Sequence, residues 1–314
     1  MKILKYVTLA VIATLAMNAN SQELKKTVLG IEDITYSSDF YPAEVEQIRN
    51  NIISAIRNTN RVIVVDHSKT TNKALANESE RRKQEAAMDA NTVADMGTLN
   101  ANSLMTIHLD NINATQEMYE DYEYKKVGDK TQKVLKGRYP YYKGSIAYTV
   151  KITDCETGAV QNQQNFSHEV GGYSTFAHKA DFDSRDKARA GILSRSVNQD
   201  EFTILILNTF KAAGKILQMD EGNDKKVKSV YVSLGSEDGV SKKQVLEVYK
   251  EVDIAGEKSQ KLIGEVEIAE IMGPNRCLAK VKKGGDVIAQ CLSSGTNMPV
   301  KTRDVKMKFF GGVK

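Results

Sequence analysis

The chain of 314 residues contains no tryptophan, and cysteine, histidine and proline occur only three, four and four times. Three cysteines are too few for a disulfide-stabilised scaffold. Cys277 and Cys291 could pair in an oxidising compartment, but the odd number of cysteines leaves at least one thiol free.

A strong excess of one charge is also absent. Forty-four Lys and Arg residues face 40 Asp and Glu residues, a net charge of +4, which falls to +2 when Lys2 and Lys5 of the first 21 residues are left out. Such a balance gives no electrostatic footprint for nucleic acid, so we expect no nucleic-acid partner.

No segment approaches the 18 consecutive apolar residues of a membrane-spanning helix. Residues 1–21 have two lysines, a short apolar run and the small residues of Ala19-Asn20-Ser21, a pattern typical of an export signal. No cysteine precedes Cys155, so we do not expect a lipoprotein. The chain is therefore predicted to be exported.

Motifs that would indicate catalysis are missing. The chain has no phosphate-binding, dinucleotide-binding, zinc-protease or serine-hydrolase motif. Residues 181–186 begin like a calcium loop, but Arg185 stands where an oxygen ligand belongs, and a polar loop leading into a helix is favoured. Cys155 has no basic neighbour to activate it, and His108 is expected to be a satisfied, half-buried strand residue. We therefore expect no enzyme, no cofactor and no metal.

The pattern of apolar residues predicts an α/β (α+β) domain of helices on a mixed sheet over residues 22–219. Its predicted strands are 28–34, 61–66 (buried), 103–112, 145–152 and 160–170, the last two joined by a turn at 154–158. Its predicted helices are one with Val45, Ile48, Ile52 and Ile56 on one face, a charged helix at 72–87, a short helix at 92–99 and an amphipathic helix from Phe202 to Leu217.

A tyrosine-rich segment at 113–142 interrupts this domain, and it predicts either an extended hairpin or a long loop. Tyrosine buries a large amphipathic area at low entropic cost and is favoured at interfaces, although covering the sheet is an equally good interpretation. The candidate interface residues are Tyr119, Tyr122, Tyr124, Tyr139, Tyr141 and Tyr142.

The polar run at 220–227 is interpreted as a linker. The short strands predicted beyond it, at 228–234, 244–251, 261–271, 276–283 and 296–302, indicate a small all-β domain over 228–314, shaped as a barrel or sandwich.

The order of three segments, NRVIVVDHS, ESERRKQEAAMD and LNANSLMTIHLDNI, resembles that of the CsgG family of curli production assembly and transport proteins. The segment AYTVKITDCETGAVQNQQNFSHE looks like the paired strands of that family, and the resemblance covers roughly residues 27–217. The segments VSLGSEDGVSKKQVLEVYKE and IGEVEIAEIMGPNRCLAKV look like the C-terminal domain of flagellar assembly protein T.

The resemblance implies a non-enzymatic cell-envelope assembly or secretion protein, located in the periplasm or at the periplasmic face of the outer membrane. It further implies contacts with other envelope proteins, ring-shaped homo-oligomers and peripheral association with the outer membrane. The alternative that the resemblance also allows is a monomeric periplasmic adaptor that activates a peptidoglycan synthase or another envelope machine.

Two features depart from the CsgG pattern. The family's type member carries a lipid-anchoring cysteine near its N-terminus, which this chain lacks. The type member also lends hairpins to a pore, but here both alternating faces of 115–135 carry charges, and a charged side chain that faces lipid at the middle of the membrane costs about 2–4 kcal/mol. These charges disfavour membrane insertion of the segment.

Overall fold

The computed structural model describes residues 26–68, 101–254 and 256–306. The predicted export signal and the predicted helices at 72–87 and 92–99 lie outside these residues. The described part consists of an α/β domain, in which helices pack on a mixed sheet, followed by a closed six-stranded antiparallel barrel. The predicted mixed sheet with helices is confirmed, and of the barrel and the sandwich predicted for the second domain, the barrel is observed.

The sheet of the first domain has the strand order β3-β1-β4-β5-β6, with β2 on the side of β4. Strands β1, β2 and β3 run parallel to their neighbours, whereas β4, β5 and β6 are antiparallel to one another. The strands are β1 (Val28–Ile31), β2 (Thr35–Tyr36), β3 (Ile63–Asp66), β4 (Ser103–Val127), β5 (Lys130–Asp154) and β6 (Val160–Val170). A separate small hairpin consists of β7 (Tyr173–Ser174) and β8 (Lys179–Ala180).

Three helices, α1 (Pro42–Asn58), α2 (Arg185–Ser194) and α3 (Gln199–Thr209), pack on one face of this sheet. As predicted, the apolar side chains of α1 at 3–4 spacing are all buried: Val45, Ile48, Ile52 and Ile56. The face of the sheet opposite these helices is called the outer face below.

Two expectations about the first domain are wrong. Strand β3 is half-buried or exposed because it lies at the edge of the sheet. The helix predicted to reach Leu217 ends at Thr209, and residues Ala213–Asn223 form strand β9 of the barrel. The apolar residues beyond Phe210 continue the helical spacing, but Ile216 is buried as part of the barrel core instead.

The residues predicted as a linker, 220–227, form instead the end of β9, a two-residue turn at 224–225 and the start of β10 (Lys226–Val232). The barrel is completed by β11 (Val245–Ile254), β12 (Glu257–Gly273), β13 (Arg276–Lys283) and β14 (Pro299–Thr302) in the closed order β10-β13-β12-β11-β14-β9. The second domain is not all-β, because helix α4 (Gly285–Ser293) follows β13 and buries Ile288 and Ala289 in the barrel core.

The two domains contact each other through Arg61, which precedes β3. Its Nη2 donates to the carbonyl oxygen of Gly239 at 3.2 Å, and the neighbouring Asn60 Nδ2 donates to the carbonyl of Ser236 at 2.7 Å. Gly239 has a φ of +64°, and a Cβ atom there would lie 2.7 Å from the carbonyl oxygens of Thr59 and Asn60. Only glycine combines this backbone conformation with so close an approach.

Candidate functional site

Strands β4 and β5 extend far beyond the rest of the sheet. In chain order, Gly144 is the first residue of β5 that pairs with β6, and its partner on β4 is Ala114. Residues 114–143, called the arm below, continue as a two-stranded ribbon that turns at Gly128-Asp129. At about 3.4 Å per residue, its 14-residue strands span roughly 45 Å. Of the two predicted alternatives for the tyrosine-rich segment, the hairpin is the one observed.

The strand register divides the six predicted tyrosines into two groups on opposite faces of the arm. Tyr119 and Tyr139 are direct cross-strand partners, and Tyr141 lies two residues from Tyr139 on the same outer face. Tyr122, Tyr124 and Tyr142 lie on the face that continues the helix-bearing side of the sheet. The structure therefore brings together three of the six residues and separates the other three from them.

A seventh tyrosine, which sequence reasoning missed, completes the outer group. The ring of Tyr173, at the start of β7, stacks on Tyr119 with centroids 4.5 Å apart and on Tyr139 at 5.5 Å. Tyr141 lies 6.5 Å away in a tilted arrangement. This cluster clamps the β7–β8 hairpin onto the arm. A signal was present in the two glycines that precede Tyr173, because such a pair marks a change of chain direction.

Charged residues on the arm pair with its tyrosines and with one another. On the outer face, the hydroxyl of Tyr141 donates to Glu117 Oε2 at 2.5 Å and Lys143 Nζ lies 3.1 Å from the same oxygen. The hydrogen bonds from Tyr141 and Lys143 lower the pKa of the Glu117 carboxyl, which is therefore ionised at neutral pH.

On the other face, Glu120 accepts from the hydroxyl of Tyr122 at 2.5 Å and from Arg138 Nε at 2.9 Å. Lys133 Nζ lies 3.7 Å from the centre of the Tyr122 ring, a cation–π contact. These pairs link the two strands of the arm in the absence of a buried core.

Large apolar or aromatic side chains remain exposed along the arm. Tyr124 is 70% exposed, and the others are Met118, Val127, Leu135 and Tyr139. An arm with aromatic and charged groups on both faces can bind a protein surface, because it offers large contact area together with many hydrogen-bonding groups.

The outer face of the sheet holds a second group of polar residues. Thr35 Oγ1 lies 2.8 Å from His108 Nδ1, and Thr149 Oγ1 donates to Asp110 Oδ2 at 3.2 Å, beside an open cavity of about 200 Å³. His108 Nε2 is 3.8 Å from Asp110 Oδ1, which is too far for the carboxylate to orient the imidazole as a general base. The expectation of a half-buried His108 is wrong, because strand alternation directs its side chain to the exposed outer face.

The predicted polar loop at 181–186 and the three cysteines have structural surroundings and no arrangement typical of a catalytic site. Ser184 caps α2 by accepting from the backbone N–H of Lys187, and Asp183 pairs with Lys187 Nζ at 2.7 Å, as expected of a polar loop that leads into a helix. Burial, together with Asp154 and Glu32, raises the pKa of the Cys155 thiol. All three cysteines are free in the structure.

Within residues 26–68, 101–254 and 256–306, no group of three or more His, Cys, Asp or Glu side chains could hold a metal ion. In the same ranges, no helix is long and apolar enough to cross a membrane.

No protein-family model and no curated protein matches the chain. Among solved structures, the hypothetical protein CT253 from Chlamydia trachomatis is similar over 59% of this chain and 98% of its own, with 9% identity and a TM-score of 0.31. The protein XCC0632 from Xanthomonas campestris is similar over 59% of this chain and 85% of its own, with 9% identity and a TM-score of 0.29. Likeness at this level carries no argument about function.

Proposed function

We propose that this chain is an exported, non-enzymatic cell-envelope protein, similar to the CsgG family, that supports assembly or secretion by binding other proteins through its arm. The observation that carries the proposal is the arm itself. Its two 14-residue strands project from the sheet with aromatic and charged side chains on both faces.

The contacts of the arm support a role in binding rather than in stabilising the fold. Its residues contribute nothing to either apolar core, since the core residues of β4 and β5 end at Ile112 and begin again at Ile146. A projection of this length that buries so little apolar surface gains little to offset the entropy lost on ordering, which favours a partner that covers it.

The first experiment removes the arm. In the shortened variant, residues 119–139 are replaced by Asn-Gly, so that Met118 and Pro140 flank a two-residue hairpin turn. We expect a thermal unfolding midpoint close to that of the parent chain, together with loss of the envelope proteins that the parent cross-links in cells. Retention of the same cross-linked partners would contradict the proposal.

A matched pair of point variants locates the contact on the arm. Tyr124→Ala removes a mostly exposed ring, whereas Tyr124→Phe keeps the ring and removes the hydroxyl. If Tyr124 packs on a partner, the alanine variant weakens cross-linking and the phenylalanine variant does not. Equal cross-linking by the two variants would show that this face of the arm is not the contact.

Cell fractionation tests the proposed location. We expect the protein with the periplasm or with outer membranes, from which an alkaline wash releases it. Light scattering then distinguishes a ring from a monomeric adaptor, because a ring gives a large discrete mass and an adaptor gives the mass of one chain.

A further inference from the structure

We propose that the open edge of strand β6 binds an extended segment of a partner protein, which adds to the sheet as a further strand. The segment is uncharged over its central residues. This inference goes beyond the proposed function, because it concerns the edge of the sheet and not the arm. The two proposals can therefore fail independently.

Strand β6 is the last strand of the sheet and pairs with β5 alone. In an antiparallel sheet, about every second residue of an edge strand points its backbone N–H and C=O away from its neighbour. Among the described residues, no hydrogen bond joins the backbone of 160–170 to any element other than β5. The 11 residues of the strand therefore leave roughly five donor–acceptor sets open.

The free side of β6 lacks the features with which edge strands usually prevent further pairing. Residues 160–167 include no charged side chain and no proline. Residues 162–170 pair with β5 without a register shift, so no bulge bends this part of the edge. Native proteins protect an open edge with charges, proline, bulges or short length. An edge without these features is suited to accept a strand through backbone hydrogen bonds.

The opposite edge of the sheet shows the contrast. Strand β3 has only four residues, and its last residue, Asp66, forms an ion pair with Arg49 of α1. Short length and a terminal charge are two of the usual means of protecting an edge. Of the two edges of the sheet, β6 is therefore the one that is open to an added strand.

The strand is also held rigidly before any partner binds. On the helix-bearing side, the buried ring of Phe166 stacks on Phe202 of α3 with centroids 4.7 Å apart. On the same side, Asn162 Nδ2 donates to Thr209 Oγ1 at 2.9 Å. A preformed template loses little entropy on binding, so more of the free energy of the new backbone hydrogen bonds contributes to affinity.

The outer-face side chains of β6 determine which segment fits. Gln163, Asn165 and Ser167 alternate along this face and are all exposed. Asn165 Oδ1 accepts from Thr149 Oγ1 at 3.2 Å, whereas Gln163 and Ser167 form no side-chain hydrogen bond with the part of the chain that the structure describes. Threonine, serine, asparagine or glutamine on an added strand can bond with these groups.

Charge on the added strand is disfavoured for a related reason. The nearest charges on the same face are Lys151, which pairs with Gln163 from β5, and Glu169 at the end of the strand. They have opposite signs and lie apart, so an ionised side chain at the centre of the added strand would find no opposite charge directly beside it. The edge therefore favours an uncharged polar segment.

Hydrogen exchange of the full chain with a synthetic peptide tests the proposal. The probe is an end-capped decapeptide in which threonine alternates with asparagine, and the control has proline at each asparagine position, which removes those backbone donors. We expect the probe to slow amide exchange within 160–170 by about tenfold or more and the control to leave it unchanged. Unchanged exchange at millimolar probe would overturn the proposal.

The variant with the shortened arm separates this proposal from the proposed function. We expect it to bind the probe as the parent does. Loss of binding in this variant would place the peptide on the arm and overturn the proposal for β6. If the parent fails to bind the probe but its arm still captures envelope proteins, the proposed function stands and only the edge proposal is wrong.

Charge at the edge provides a matched pair of variants. Gln163→Lys with Ser167→Lys places two cations beside the added strand, whereas Gln163→Thr with Ser167→Thr keeps the edge uncharged. Both positions are exposed, so we expect both chains to keep the thermal midpoint of the parent. Calorimetry should show an affinity for the probe that is about tenfold weaker in the lysine chain only. Equal affinities in the two chains would overturn the proposal.

A charge-reversed peptide adds a gain of binding to these losses. A decapeptide with glutamate at each asparagine position should bind the lysine chain more tightly than the parent, because opposite charges then face each other across the new strand pair. Tighter binding of this peptide to the parent would contradict an added strand at this edge.

Two β6 edges could also pair with each other, and sedimentation of the same variants distinguishes this occupant. If the parent dimerises, the lysine chain stays monomeric and the probe does not dissociate the dimer, the edge belongs to a second copy and the proposal is wrong. If the parent and the lysine chain sediment alike while the probe protects 160–170 in the parent, the result supports a segment of a partner protein.

Discussion

Strands β4 and β5 pass through two different environments, and the contrast between them separates stability from binding. At the base, residues 103–112 and 146–154 bury one face beneath the helices, with Ile146, Tyr148, Val150 and Ile152 at most 1% exposed. Along the arm, residues 114–143 have no buried side chain. Burial holds the base together, whereas cross-strand pairs worth about 0.2–1 kcal/mol each hold the arm.

The largest expected effect comes from the aromatic core above the base. Phe202 of α3 stacks on Phe166 with centroids 4.7 Å apart, and Phe166 stacks on Tyr148 at 5.1 Å. We expect Phe202→Ala to lower the free energy of unfolding by about 3–5 kcal/mol, because a fully buried ring leaves a cavity. Urea unfolding measures this loss. A loss below about 1 kcal/mol would mean that burial does not dominate at the base.

A smaller effect is expected at the junction of base and arm. A Cβ atom on Gly144 would lie 2.4 Å from the carbonyl oxygen of Ala188 in α2, so Gly144→Ala should cost about 1–3 kcal/mol through overpacking. Gly137→Ala in the arm is the matched control, since the three atoms nearest to its Cβ all belong to the side chain of Tyr139, which can shift more easily than the backbone of α2. Equal unfolding midpoints for the two variants would break the distinction between the regions.

Tyr173→Ala tests the clamp between the small hairpin and the arm. Each stacked pair contributes about 0.5–1.5 kcal/mol, and we expect this loss to appear locally. Backbone amides of β7, β8 and the middle of the arm should exchange hydrogen faster, while those of β1 and α1 are unchanged. Tyr173→Phe keeps the stacking and serves as the control. Faster exchange throughout the sheet would show that the arm and base unfold together.

The smallest expected effect is the loss of stability when Glu44 is protonated at acid pH. Burial raises the pKa of Glu44, but hydrogen bonds from Arg189 and from the Tyr41 backbone outweigh the effect of burial. The pKa of Glu44 in the folded protein is therefore lowered. The ionised Glu44 therefore stabilises the fold above about pH 4.3, which is the pKa of a glutamate in the unfolded chain. This stabilisation is lost as the pH falls through the lower pKa that Glu44 has in the folded protein. Its size should be below about 1 kcal/mol.

A pH series of thermal midpoints tests this titration. Glu44→Gln should lose less stability than the parent between pH 5 and 3, because it no longer has the carboxyl that titrates. The pKa of Glu117 in the arm is also lowered, but Glu117→Gln should lose as much stability as the parent, because we expect the arm to unfold separately from the base. An identical acid profile for the parent and Glu44→Gln would contradict the assignment.

The sequence predicted the base well, because burial on one face leaves a regular pattern. The spacing of Val45, Ile48, Ile52 and Ile56 identified α1, and strand alternation with the Asp154–Gly158 turn identified the β5–β6 hairpin. In that turn Asp154 Oδ1 accepts from the backbone N–H groups of Glu156 and Thr157, which is the contact that favours aspartate there.

The elements predicted incompletely or wrongly are those whose local pattern conflicts with the fold. Helix α2 was predicted only as a helix after the polar loop at 181–186, and its bounds were not, because it buries only Ala188, Ile192 and Leu193. The sequence of β9 resembles a continuation of α3. Its strand conformation depends on pairing with β10, which follows a turn, and with β14, which is distant along the chain.

The candidate site was predicted in part. The tyrosines of the arm are evident from composition, but their division between two faces depends on the β4–β5 register. The bulge between Asp121 and Tyr122 shifts this register, and Tyr173 joins the group only through the fold.

Three residues separate α3 from β9, and within that short connection Phe210 and Ala212 are both buried. The connection therefore offers a protease little accessible backbone. A barrel fragment that began at residue 228 would lack β9, one of its six strands, and would expose the edges of β10 and β14. Digestion of the intact protein should accordingly trim the ends and loop tips rather than release the two halves as separate pieces.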